Sequence, residues 1–582
     1  MEEIRWRIGE MYPDEQKTQE DMKKIREAAT EMRRLSEDPQ GNLKEILALY
    51  EETQRLAEHL LVYAEMRRDE DSRVSESQKL QMASEMAAVD FQTATAFLQP
   101  YLTGLSKEQH TALLENEEYA PYRLFLSRIF RFSNHTLSPK EEELLSKFSF
   151  VMEAPANIAY YLTNADLTFP TIDALDGKQL TGEAFTLHQK NPDVAVRKEV
   201  FEKYYETYRS FGNTLAATYY NNVKALATEA QLRGYDSCRQ QALFRDDVSE
   251  EVYDALLESI YRNLPVIHRY YAAKKSLLGL KEQHMYDVYL PIAGSSGKTY
   301  TFEEARDLCI ASVAPLGEEY GKIYRRAFEE GWIDAYPRPG KRGGAYSSGS
   351  YDGKPYVLMN FDGTLDSVFT MAHEMGHSMH SYLSRQANDY LESHYTIFVA
   401  EVASTFNENL LLHYLMERAE TPEERLALLD HHLDSFKSTV FRQTMFAEFE
   451  KIVHARVEKG EALTAKEFDE IYYSLNQQYF GAAMISDPLI AHEWMRIPHF
   501  YEDFYVYKYA TGYCAATALA QGVLDGKTHA VENYFAFLRD GCKHFPIEQL
   551  RIAGCDMADP ASVDAALSVF EKRVGELEAL VK

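Results

Sequence analysis

Apolar residues recur at three- and four-residue spacing through most of the chain, a period that specifies amphipathic helices rather than strands. From about residue 14 to 115 this pattern predicts long helices. Leu43 to Arg68 is a representative run, and Pro39-Gln40-Gly41 supplies the turn before it. No clean heptad persists, so these helices are expected to form a helical hairpin packed on the main body rather than a coiled-coil surface. Around Leu167-Thr168-Phe169 and Glu183 to Leu187 the period shortens, and the turn-forming stretch Asp173 to Lys178 between them predicts a strand pair. Helix resumes from Asp193 through Gln231 and again from Ser249 to Leu278.

A Gly-rich, partly basic loop follows from Arg338 to Tyr351, and its Tyr346 and Tyr351 could offer hydroxyls to a substrate. A plain surface connection fits the same residues equally well. A phosphate-binding loop does not, because GxxxxGK[ST] is absent. Next comes a short strand, Pro355 to Phe361, ending in a turn at Asp362-Gly363. It could be an edge against which an extended peptide pairs, or an interior strand of a small sheet.

After that turn, Thr364 or Asp366 can cap a helix that carries His373-Glu374-Met375-Gly376-His377, an HExxH pentapeptide. Two histidines four apart lie on one helical face and can converge on one metal ion. Glu374 can then act as base toward the attacking water. Met371, Met375 and Met379 form a separate apolar stripe, so the helix can bury one face and present both imidazoles from another.

A catalytic zinc site takes three protein ligands. His380 extends the same helix, but it lies about 10 Å along the axis from His373, too far for a common ion without a break. Glu401 is the better third ligand. It sits in a second, otherwise apolar helical run from Tyr395 to Glu408, where a buried carboxylate needs a cation. Glu408 on the same face could orient a ligand histidine. In the stretch His492 to Gly512, Tyr501, Tyr505 and Tyr509 are spaced by four and are expected to line one helical face. A tetrahedral oxyanion needs hydrogen-bond donors, which makes His499 and Tyr509, and after them Tyr505, the candidates for that role.

Composition narrows the setting. The chain has 582 residues, 45% hydrophobic and 26% charged, enough for a large core in more than one lobe. Its formal net charge of −29 disfavours nucleic acid and anionic membrane as partners. No uninterrupted apolar run reaches the roughly 18 residues of a membrane span. The opening Met1 to Trp6 carries no signal-peptide pattern. Five cysteines, odd in number and without CxxC spacing, read as reduced thiols. A cytoplasmic protein is the expectation.

Three stretches, Phe369 to His380, Phe398 to Glu408 and Phe504 to Gly512, closely resemble the thimet-type zinc oligopeptidases, particularly the oligoendopeptidase F branch. Weaker agreement appears at Arg233-Gly234-Tyr235 and from Gly343 to Ser347. The resemblance implies a mainly α, two-lobed, zincin-like metallopeptidase with a small β-sheet beside the active-site helix and a deep channel. It implies one Zn²⁺ per chain on His373, His377 and Glu401, Glu374 as base, and cleavage of short unstructured peptides. It also places the oxyanion-stabilising His and Tyr between His499 and Tyr509. The expected division is a helical region to 115, a small mixed region over 116–190 and a catalytic domain over 191–582. A zinc carboxypeptidase, which needs a cationic pocket for the terminal carboxylate, and a non-catalytic peptide-binding protein are the competing readings.

Overall fold

The computed structural model describes residues 4–294 and 298–581. The protein is 72% helix and only 2% strand, so its core is built by helix packing. The chain forms two compact units. One comprises Met1–Pro139, Lys298–Tyr414 and Leu519–Cys555, and the other Lys140–Gly297, Leu415–Ala518 and Asp556–Lys582. None of the five cysteines is in a disulfide. Among the described residues no helix is long and apolar enough to cross a membrane.

In the first unit the N-terminal amphipathic run becomes three long helices, Glu15–Leu35, Leu43–Glu70 and Ser75–Thr95. Asp14 caps the first by accepting from the Lys17 backbone N–H at 2.9 Å. Ile25, Ala29, Met32, Ile46, Leu60 and Phe91 meet in a shared core. Small Ala29, Ala57, Ala87 and Ala94 lie in this core among long side chains, which lets the helices approach and interlock.

The same unit holds a three-stranded sheet. β3 (Ile333–Asp334) pairs parallel to β5 (Tyr356–Leu358), and β4 (Tyr346–Ser348) pairs antiparallel to β5 with Ser347 opposite Val357. The order β3-β5-β4 makes β5 the interior strand, as its unbroken burial requires. β4, which arises from the Gly-rich loop, is an edge strand.

That loop is anchored rather than open. Lys341, whose side chain is fully buried, donates to Asp334 Oδ1 at 2.6 Å and to the carbonyls of Asp334, Tyr336 and Met359 at 3.1, 2.9 and 2.6 Å. Arg338 reaches the same carboxylate at 2.6 Å. Gly340 and Gly344, with φ of +86° and +79°, let the backbone turn around this charge cluster. The hydroxyls expected to meet substrate are also engaged. Tyr346 donates to Asp69 Oδ2 at 3.0 Å and Tyr351 to the Asn388 carbonyl at 2.9 Å. Burying these polar groups demands partners, and the protein supplies them.

In the second unit the expected strand pair is relocated. β1 (Thr171–Ile172) pairs antiparallel with β2 (Lys178–Gln179) around the expected turn, where Asp176 and Gly177 take φ of +54° and +75°. The Glu183 to Leu187 stretch is not a strand but the start of the Ala184–Gln189 helix. Phe185 and Gln189, four apart, are both buried, and Phe185 stacks on Tyr204 at 4.0 Å. A four-residue burial period overrides the local β propensity. The helical run over 193–231 breaks once, at Phe211, into Val194–Ser210 and Gly212–Leu232.

Replacing Lys341 by Met is expected to leave Asp334 short of its main buried partner and to cost about 3 kcal/mol of stability. A urea midpoint and loop proteolysis equal to those of the parent protein would contradict the anchoring role.

Candidate metal centre and active site

The helix bearing HExxH runs Leu365–Ala387. Its start is well specified. Thr364 Oγ1 accepts from the Ser367 N–H at 3.2 Å, and Asp362 accepts from the Thr364 N–H at 3.0 Å and the Thr364 hydroxyl at 2.7 Å. Gly363, at φ +82°, makes the turn into it. Met371, Met375 and Met379 are buried, which fixes the rotation of the helix and turns His373 and His377 to another face.

The Ile397–Arg418 helix brings Glu401 to those two imidazoles. Glu401 Oε2 lies 3.3 Å from His373 Nε2 and 3.6 Å from His377 Nε2, and one ligand atom from each of the three residues falls within 4.8 Å of the others. The rings stand nearly perpendicular, 83° apart, so both Nε2 atoms can aim at one point. Ser404 donates to Glu401 Oε2 at 3.0 Å and holds that carboxylate in place. On the far side of His373, Nδ1 bonds Glu408 Oε1 at 2.5 Å. A carboxylate on the outer nitrogen fixes the ring and its tautomer, as metal-ligating histidines require.

This approach depends on Gly376, the middle of the pentapeptide. A Cβ there would meet the Ala403 carbonyl oxygen at 2.5 Å and Ser404 Cα at 2.6 Å. The two helices therefore touch backbone to backbone. The histidine spacing does not point to this residue, although a glycine inside a helix costs about 1 kcal/mol and so calls for a reason. Asn407 adds a second tie by donating to the Ala372 carbonyl at 3.4 Å, and Tyr320 donates to Asn407 Oδ1 at 3.1 Å.

The electrostatics separate the carboxylates. Glu374 is only 6% exposed, and that burial pushes its carboxyl up to about 7, against the pull of His373. Burial would also raise Glu401, yet the bond to His373 and the nearby His377 hold it at about 2. Burial, then repulsion from His373, lowers His377 to about 4. For His373 burial is outweighed by Glu401 and Glu408, and the ring sits well above the usual imidazole range. An excess of carboxylate around two imidazoles is a cation site by charge, and two nitrogens with one oxygen suit Zn²⁺ by chemistry. The residues fit the ion.

His380 lies outside this group. It is 1% exposed and stacks on Tyr395 with centroids 3.7 Å apart, so it is packed as a ring in a slot of rings.

In the second unit His499, Tyr505 and Tyr509 form their own cluster. His499 Nε2 and the Tyr509 hydroxyl are 3.5 Å apart, His499 lies parallel to Tyr505 at 6.0 Å, and Tyr509 stands edge-on to Tyr505 at 5.3 Å. The expected continuous helix beneath them is absent. A short 3₁₀ turn, Pro498–Tyr501, ends the first part, and the next helix starts at Tyr507. Between them Phe504 takes φ of +49°, a costly conformation for an aromatic residue, pinned by its N–H donating to buried Glu450 at 2.6 Å. Tyr501 consequently leaves the stripe and bonds Thr218 through its hydroxyl at 2.8 Å. Spacing alone could not show this break, because the buried carboxylate that holds it is 54 residues away.

Comparison with known proteins bears on the family and the fold. The pattern of Peptidase family M3 matches residues 187–569, and that of the Oligopeptidase F N-terminal region matches 102–169. Oligopeptidase PepF of Bacillus subtilis is 40% identical over 99% of this chain and 87% of its own. An oligoendopeptidase F homolog of Lactococcus lactis is 37% identical over 100% of this chain and 98% of its own. Among solved structures, a candidate peptidase of Chlamydophila abortus superposes with a TM-score of 0.92 at 33% identity, covering 99% and 98% of the two chains. Oligoendopeptidase-F of Enterococcus faecium gives 0.75 at 33%, covering 97% and 99%. The chain belongs to peptidase family M3, in its oligoendopeptidase F branch.

Proposed function

We propose that this protein hydrolyses internal bonds of short, unstructured oligopeptides, with one Zn²⁺ held by His373, His377 and Glu401. The observation that carries the reading is the convergence of those three ligand atoms beside the buried carboxyl of Glu374. The chemistry that a zinc ion supplies in such a site is Lewis acidity toward the scissile carbonyl and the attacking water.

Glu374 is the general base. A carboxyl near neutrality can take a proton from water and give it up again to the leaving amine, which a carboxylate held at about 2, like that of Glu401, cannot do well. Glu408 keeps His373 oriented through Nδ1. The Ser347 hydroxyl lies 2.8 Å from that of Ser378 on the HExxH helix, so edge strand β4 runs beside the helix that carries the base. An extended peptide pairing with that edge would present its carbonyls in sequence to the site. Oxyanion stabilisation is assigned to His499 and Tyr509, with Tyr505 beside them, because a ring nitrogen and a hydroxyl are offered side by side.

Glu374→Gln is expected to keep its zinc and lose about 10²- to 10⁴-fold in turnover of an internally quenched peptide. Unchanged turnover would remove Glu374 from the mechanism. His499→Ala and Tyr509→Phe are each expected to lower kcat by about 10²- to 10³-fold with zinc content intact. Normal kcat in both would sink the oxyanion assignment. Gly376→Ala should push the two helices apart and weaken zinc affinity by about tenfold or more. Parent-like affinity, read by chelator competition, would show that the backbone contact does not set the site.

A further inference from the structure

In the second unit Cys238, His454 and Glu458 each offer a ligand atom, and the three atoms lie within 4.8 Å of one another. Cys238 opens the Cys238–Phe244 helix, while His454 and Glu458, four residues apart, share a face at the end of Arg442–Glu458. Cys238 and His454 are each 1% exposed, and Glu458 is exposed. The two helices are already joined here, since the Cys238 backbone N–H donates to Glu458 Oε1 at 2.7 Å.

His454 is the anomaly. Both of its ring nitrogens are buried without a hydrogen-bond partner, whereas the buried His380 and His432 each leave only one so. A neutral imidazole carries one donor and one acceptor, and burying both unmet is costly. The ring's contact with Phe504, 4.7 Å between centroids, satisfies neither. A thiol-to-carboxylate hydrogen bond would account for Cys238 and Glu458 but not for His454. A cation shared by all three would engage His454 as well.

We propose that Cys238, His454 and Glu458 form a second divalent-metal site, built from other residues than the HExxH centre and independent of the peptidase reading. One sulfur, one nitrogen and one oxygen select a borderline-soft ion of the zinc class over calcium or magnesium. Tetrahedral zinc places its ligand atoms roughly 3.5 Å apart, inside the 4.8 Å within which these three already lie. Exposed Glu458 gives the ion a route in. The bound ion clamps the start of one helix to the end of the other.

The test is a Co²⁺ titration of the full-length, chelator-stripped protein. Two equivalents per chain and a near-ultraviolet thiolate-to-cobalt band are expected. Two histidines and a glutamate cannot produce that band, so it reports a cysteine ligand, and its loss in Cys238→Ser identifies which. Cys238→Ser should abolish the band and one equivalent while keeping peptide hydrolysis within about twofold. His454→Phe, which replaces an unpartnered ring by an apolar one, should lose the same equivalent. One equivalent and no band in the parent protein overturns the site, whatever the variants do, and so does a band that survives Cys238→Ser. Peptide hydrolysis with one equivalent would sink this site alone, and two equivalents with the band but no hydrolysis would sink the peptidase reading alone.

Discussion

The contact on which the active centre depends is the meeting of two helix backbones at Gly376. With no Cβ at that position, Ala403 and Ser404 of the neighbouring helix come within the width of a side chain, and Glu401 one turn earlier is carried to both imidazoles. Helices separated by ordinary side chains stand 8–10 Å apart, whereas at Gly376 the backbone of one helix rests directly on that of the other. The helix-weakening effect of an internal glycine is offset by this packing and by the Asn407 and Tyr320 ties around it.

Close packing also sets the acid–base properties. Glu374, Glu401 and Glu408 crowd around two histidines, and the first two titrate far apart. Where an imidazole bonds directly, as at Glu401, the carboxylate stays charged and available to a cation. Where none does, as at Glu374, burial dominates and the carboxyl rises toward neutrality. One helix pair thus yields a ligand and a base from the same residue type. The Gly-rich loop is governed by the same rule, because its buried Lys341 is tolerable only with Asp334 and three carbonyls around it.

Helices, caps and the spacing of metal-binding residues were legible in the sequence because each depends on neighbours within a turn or two. The Thr364 cap, the buried methionine stripe and the outward pair His373 and His377 all belong to that class. The errors involved partners distant in the chain. The segment after Glu183 is helical because Phe185 stacks on Tyr204. The tyrosine stripe is broken because Glu450 pins Phe504. Between the two readings open for the Gly-rich loop, distant partners weigh too: the Tyr346 and Tyr351 hydroxyls bond Asp69 and the Asn388 carbonyl.

By itself, then, the amino-acid order determined the helical class, the HExxH face and the residue types suited to zinc, since periodicity and i,i+4 geometry are properties of a single helix. Tertiary structure alone decided that Glu401 lies within 3.6 Å of both histidines while His380 is stacked on Tyr395, and that β4 rather than β5 is an edge strand. It alone gathered Cys238 with His454 and Glu458. Such convergence is set by how closely separate elements can approach, and no local pattern encodes that distance.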